Sequence, residues 1–130
     1  MERSVRDRGS ITVFVVGLMM SFMVVAGLAI DGGRIVSARV VAADHAENAA
    51  RVGAQQVTLI RLGWRVLDPA RARRAALDYL AFHGVNGSVE VGVDRVTVAV
   101  VITQSTTFLR LVGIGSRTVS ATRSATLESS

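Results

Sequence analysis

The sequence predicts an α+β fold in which an N-terminal transmembrane helix extends into a long helix packed on a small antiparallel sheet. Three observations carry this reading. An apolar run of twenty residues lies close to the N-terminus. A period of three and four continues beyond it, and the pattern switches to a period of two over the last part of the chain.

The run Ile11–Ile30, ITVFVVGLMMSFMVVAGLAI, contains no charge and is bracketed by Arg8 and Asp31. As a helix rising 1.5 Å per residue it covers roughly 30 Å, the thickness of a bilayer core. A buried soluble helix is rarely so long without a charge. A cleaved secretory signal has a shorter apolar region and ends in an A-x-A-like site; here the nearest candidate is Gly27-Leu28-Ala29, a poor match. The run therefore predicts an uncleaved anchor. Arg3, Arg6 and Arg8 precede it, against Arg34 and Arg39 after it, a slight bias that points the N-terminus inward. The expected organisation is a cytoplasmic tail over 1–10, a transmembrane helix over 11–30 and an extracytoplasmic domain over 31–130. The expected location is the cell membrane, with a single pass.

Beyond the run, Asp31-Gly32-Gly33 is a place where a helix could kink. The helical pattern then resumes: Ile35, Ala38, Ala42, Ala46, Ala49, Gly53, Val57 and Ile60 step by three or four along one stripe. Ser37, Asp44, Asn48, Arg51, Gln55 and Thr58 fall largely elsewhere on the helix. An unbroken helix from Ile11 to about Leu62, ended by Gly63, would be on the order of 75 Å long. The smooth segment AADHAENAARVGAQ belongs to this stripe, and its small side chains let a backbone approach a sheet or another copy of the helix. Ala42, Ala46, Ala49 and Gly53 are the expected packing positions.

Asp68-Pro69 reads as an N-cap followed by proline in the first turn, opening a second helix to about His83, with Gly84 as its stop. Val85-Asn86-Gly87 reads as a turn. From Ser88, Val89, Val91 and Val93 alternate with polar or small residues, and so do Val96, Val98, Val100 and Ile102. Asp94-Arg95 would connect the two runs. Thr106 to Val112 reads as one short helical turn closed by Gly113. Val119, Ala121, Arg123, Ala125 and Leu127 then alternate with hydroxyl residues as a third strand. Three strands make a sheet whose apolar face needs a cover, and the long helix supplies one.

At 130 residues the chain has room for a single domain. It carries 15 basic and 10 acidic side chains, a formal excess of +5, and every basic residue apart from the two histidines is arginine. That balance suits anionic lipid, cell-wall polymer or nucleic acid without selecting one. With no cysteine, disulfides and thiolate metal sites are excluded, so the domain is held by packing alone.

The polar constellations are sparse. Asp44 and Glu47 share a helix face, but His45 points about 100° away from Asp44, so a solvated face fits better than a metal site. Arg71, Arg73 and Arg74 cluster at the start of the second helix, where the helix dipole does not favour cations. They read as a solvated patch or as a contact for an anionic polymer, and no nucleic-acid module accompanies them. Asp31 either ends the membrane segment or pairs with Arg34 to set its depth. His83 reads as a C-terminal cap and Trp64 as core or docking surface. Gly92, Gly113 and Gly115 read as turn or bulge positions. No nucleophile system and no phosphate loop is present, so the chain is read as a non-enzyme with no cofactor, no metal, no small-molecule substrate and no nucleic acid.

The element order resembles a pilin, and particular segments resemble the TadE/TadG-like family of the tight-adherence (Tad, or Flp) pilus-assembly system. Arg8-Gly9-Ser10 is similar to that family's RGS/RGA start, and LAIDGGR to its apolar run–Asp–x–x–Arg boundary. AENAARVGAQ is similar to its ADEAARAGA segment, with Glu47 in place of aspartate. VTVAVVITQSTTFLRLVGIGSRTVSATRSAT is similar to its ending, V-x-V … T-x-F-L-x-L-x-G-I … V-x-A-x-A. The resemblance implies a pilin-like fold and a membrane-anchored minor pilin-like (pseudopilin-like) or accessory component of Tad-type pilus assembly or a related secretion machine. Its implied partners are the membrane and other pilus-assembly proteins or pilin-like subunits. Gly9 and Ser10 are the candidate processing site. Phe14 stands five residues after Gly9, where cleaved members commonly carry glutamate, so the resemblance favours a permanent TadG-like anchor. A binding module for anionic cell-envelope polymers, using the arginines of the second helix, is the alternative from another class.

Overall fold

The computed structural model describes residues 4–59 and 65–127. One helix dominates it: α1, Ser4–Ala54, is 51 residues long, about 77 Å at 1.5 Å per residue. Helical structure continues through Asp31-Gly32-Gly33 without a break. Among the described residues, this helix is long and apolar enough to cross a membrane by length and composition. Its two halves have different surroundings. From Ile11 to Ile30 the large apolar side chains are exposed, and within the run only Gly27 is buried. From Ala38 onward one stripe is sealed.

The helix ends at Ala54, earlier than the expected Leu62. Gln56 N–H donates to the Gly53 carbonyl at 3.1 Å, which turns the chain out of the helix. The β-prone residues of β1, Val57–Leu59, then pair antiparallel with β2, Arg65–Leu67. The amide of Asp68 returns to the Gln56 carbonyl at 3.0 Å and closes this ribbon. The expected helix stop Gly63, together with Ile60, Leu62 and Trp64, lies outside the described residues.

The second helix, α2, spans Pro69–Phe82. Asp68 caps it as expected: its carboxylate accepts from the amides of Ala70 and Arg71, each at 3.1 Å. At the other end Gly84 has φ 64°, and Val85 N–H donates to the Leu80 carbonyl at 2.9 Å, a Schellman closure. His83 sits at the C-cap, with its Nδ1 2.9 Å from the Tyr79 carbonyl.

Three strands follow as an antiparallel sheet in the order β3-β4-β5: Asn86–Val91, Arg95–Ser105 and Ser116–Thr126. The expected turn at Val85-Asn86-Gly87 is shorter than predicted, because β3 already begins at Asn86. Gly87 serves close approach there: a Cβ on it would stand 2.6 Å from the Ala99 carbonyl oxygen. The β3–β4 connection is Gly92–Asp94, closed by Gly92 N–H to the Arg95 carbonyl at 2.8 Å. In the register Val96, Val98 and Val100 face Ala125, Arg123 and Ala121. The three valines are fully buried, while Arg123 on the outer strand stays exposed. The opposite face is lined by hydroxyls, including a Thr97–Ser124 contact at 2.9 Å. Ala42, Ala46, Ala49, Ala50, Ala54, Ala72, Ala76 and Leu80 complete the core against the valines. The architecture is therefore α+β, with a long N-terminal apolar helix and a small antiparallel sheet.

Candidate functional site

The polar centre of the molecule is built around Asp31, the first residue after the apolar run. Its carboxylate accepts three backbone N–H bonds, from Thr107 at 3.0 Å and from Phe108 and Leu109 at 2.7 Å each. Those amides open a 3-10 turn, Leu109–Val112, which has no side-chain cap of its own. Asp31 thus caps a turn 76 to 78 residues away in the chain, supplying the acceptor that the first amides of a helical turn otherwise lack. Fully buried, it is held in its charged form. The bond from Leu109 lowers its pKa most; burial opposes this, and the Thr107 and Phe108 amides and the Arg34 charge lower it further.

Arg34 reaches the same loop, donating from Nη1 to Thr107 Oγ1 at 2.8 Å. Asp31 and Arg34 therefore meet at Thr107. Thr106, itself buried, ties the base of the loop: its amide donates to Gly115 at 3.2 Å, and its hydroxyl donates to the Ile114 carbonyl. Gly113, at φ 90°, turns the chain back toward β5. The ring of Phe108 lies on Gly27, where a Cβ would come within 2.5 Å of the ring carbon Cγ. A shallow hollow beside the loop is lined by Arg34, Ser37, Ala38, Val41, Ile102 and Gln104.

The packing stripe sits higher on α1. Ala42, Ala46 and Ala49 are fully buried, and Gly53 is buried with them. A Cβ on Gly53 would lie 3.0 Å from both the Ala72 carbonyl oxygen and Val96 Cγ1. Ile35 is half-buried, and Val57 has left the helix for β1. Val36 and Val40 leave an apolar strip exposed on another side of the helix.

The remaining candidates are dispersed. Asp44 is exposed, Glu47 pairs with Arg51 at 2.5 Å, and His45 packs near Tyr79 and His83 with an unpartnered buried Nδ1. Among the described residues no three metal-ligating side chains come together. Arg71 pairs with Asp68 at 3.5 Å, and Arg73 and Arg74 are exposed. Gly9 and Ser10 lie within α1, and both are exposed.

The loop contact to Asp31 was not read from the sequence. The signal that could have revealed it is the N-cap position of the turn, Phe108, whose side chain has no acceptor to offer. The segments LAIDGGR and TTFLRLVGIG, separate in the chain, meet here as one unit.

Residues 9–56 match a family model described as Putative Flp pilus-assembly TadE/G-like. No curated protein and no solved structure matches the chain significantly. The matched segment takes in the apolar run, Asp31, Arg34 and the whole small-residue stripe, and over that helix the chain is similar to the TadE/TadG-like family of Flp pilus assembly.

Proposed function

We propose that this chain is a membrane-anchored minor pilin-like or accessory component of Tad-type (Flp) pilus assembly or a related secretion machine. It acts by protein–protein assembly rather than by catalysis. The carrying observation is the family match across 9–56 on a helix whose first half is an exposed apolar rod and whose second half is sealed beneath a sheet. Such a rod is stable in lipid and costly in water. The arginine bias puts the N-terminus inside and the sheet outside. Phe14, exposed on the rod, offers no carboxylate to a neighbour's amine, which fits a retained TadG-like anchor with Gly9 and Ser10 uncut. Val36 and Val40 are the surface offered to another pilin-like subunit.

The test combines deletion of the gene with restoration by variants carrying a photo-crosslinking residue at Val36 or Val40. Loss of surface pili on deletion, together with adducts to pilus-assembly proteins, is the expected result. Normal piliation without the protein would refute the assignment. Intact mass from the native envelope separates the two roles: a start at Ser10 denotes a processed subunit, a start at Met1 a retained anchor.

A further inference from the structure

We propose that the loop Thr106–Gly115 is a lipid-docking foot, whose apolar tip inserts into the membrane interface beside the anchor helix. The proposal rests on the anchor reading of Ile11–Ile30 and extends it to a second point of membrane contact. Its first ground is height. Phe108 lies on Gly27, four residues before Asp31, so the loop reaches about 6 Å back along the apolar run. Interfacial elements sink about 5–10 Å into the headgroup and acyl boundary, so a loop at this level is already within that zone.

The second ground is composition. Leu111 is 85% exposed, Val112 72% and Ile114 40%, in a loop otherwise well satisfied. Three amides are bound by Asp31, Thr107 is held by Arg34, and Thr106 closes the base. The apolar tip is therefore presented by an ordered frame. The third ground is charge: no acidic residue occurs from Arg95 through Leu127, whereas Arg110 lies in the tip and Arg117 at the foot of β5. Arginines beside apolar side chains suit phosphate headgroups above acyl chains. Continuity with the apolar rod selects lipid over a protein partner, since Phe108 joins the loop to the rod itself.

The absence of native cysteine makes single-site labelling clean. An environment-sensitive fluorophore is attached to the full chain at Leu111→Cys or Val112→Cys. Reference labels go at Phe22→Cys in the rod and at Val93→Cys, 91% exposed in the β3–β4 hairpin. Each protein is placed in phosphatidylcholine–phosphatidylglycerol nanodiscs at one copy per disc. Quenching is read from nitroxide lipids labelled near the headgroup or at the chain end, and from aqueous iodide. The tip labels are expected to be quenched by the shallow nitroxide and shielded from iodide, with Phe22 quenched by the deep one and Val93 by iodide alone. A tip as open to iodide as Val93, with Phe22 still in lipid, would overturn the foot and leave the anchor standing. Iodide quenching of Phe22 as well would overturn the anchor, and the foot with it. A tip shielded from both quenchers would show protein covering it and would overturn the lipid assignment.

Discussion

Replacing Gly53 tests the fit of α1 under the rest of the domain. A methyl at this position would stand 3.0 Å from the Ala72 carbonyl oxygen, 3.0 Å from Val96 Cγ1 and 3.4 Å from Ala76 Cβ. Alanine is favoured over glycine within a helix by up to about 1 kcal/mol, but Ala72 O belongs to the α2 backbone and yields poorly. For Gly53→Ala the two effects nearly cancel, leaving a change within about 1 kcal/mol. Gly53→Leu adds three further carbons to a space already closed, and overpacking of this kind costs roughly 1–3 kcal/mol. With about 4–8 °C per kcal/mol for a domain of this size, a loss of about 2 kcal/mol lowers Tm by roughly 8–16 °C. Gly33 provides the control, since nothing lies within 4 Å of its added Cβ; Gly33→Ala should raise stability by roughly 0.5–1 kcal/mol. The assay is thermal unfolding of the detergent-solubilised full chain by circular dichroism. The expected order of Tm is Gly33→Ala highest, then the parent and Gly53→Ala close together, then Gly53→Leu well below. A Gly53→Leu protein melting within about 2 °C of the parent would refute the packing argument, because 1 kcal/mol alone moves Tm further.

Asp31→Asn replaces an acceptor of three amide bonds by a group with a single acceptor oxygen, so the amides of Thr107, Phe108 and Leu109 should exchange hydrogen markedly faster. Unchanged protection of these three would show that Asp31 does not hold the loop. Because the folded-state pKa of Asp31 is lowered, its contribution is fully present above the ordinary carboxylate value and is lost as pH falls through the lowered one. The stability gap between the parent and Asp31→Asn should accordingly persist at neutral pH and close in acid below about pH 4, read as Tm against pH. Val98→Ala deletes two buried carbons at a fully enclosed site, worth about 1.6 kcal/mol in transfer plus a cavity term; denaturant titration should show a loss of about 2 kcal/mol. Asp68→Ala removes the N-cap of α2 and should cost about 1 kcal/mol, checked in the same titration.

The parts of the fold legible in the sequence are those whose cause is local. A twenty-residue uncharged run, an Asp-Pro cap, a stop glycine and alternating valines each act over a few residues, through backbone geometry and periodicity. α2 begins and ends within a residue of its signals, and Val96, Val98 and Val100 lie on the buried face that their spacing indicates. The resemblance motifs were legible too, but as separate segments.

What tertiary structure decided are the places where a residue's partner is far along the chain. Helical periodicity continues through Val57, yet the chain leaves the helix at Ala54, because β1 gains a ladder with β2 that no window around Val57 contains. Asp31 reads as a membrane boundary by position. Its three amide donors lie 76 to 78 residues on, and only folding brings them to it. The small-residue stripe has the same character. Its spacing announces that something approaches closely; only the assembled core shows that α2 and the valines of β4 are what approach Gly53. Short-range rules act on dihedrals and faces, whereas a carboxylate needs donors and a glycine needs a neighbour, and those are set by chain topology.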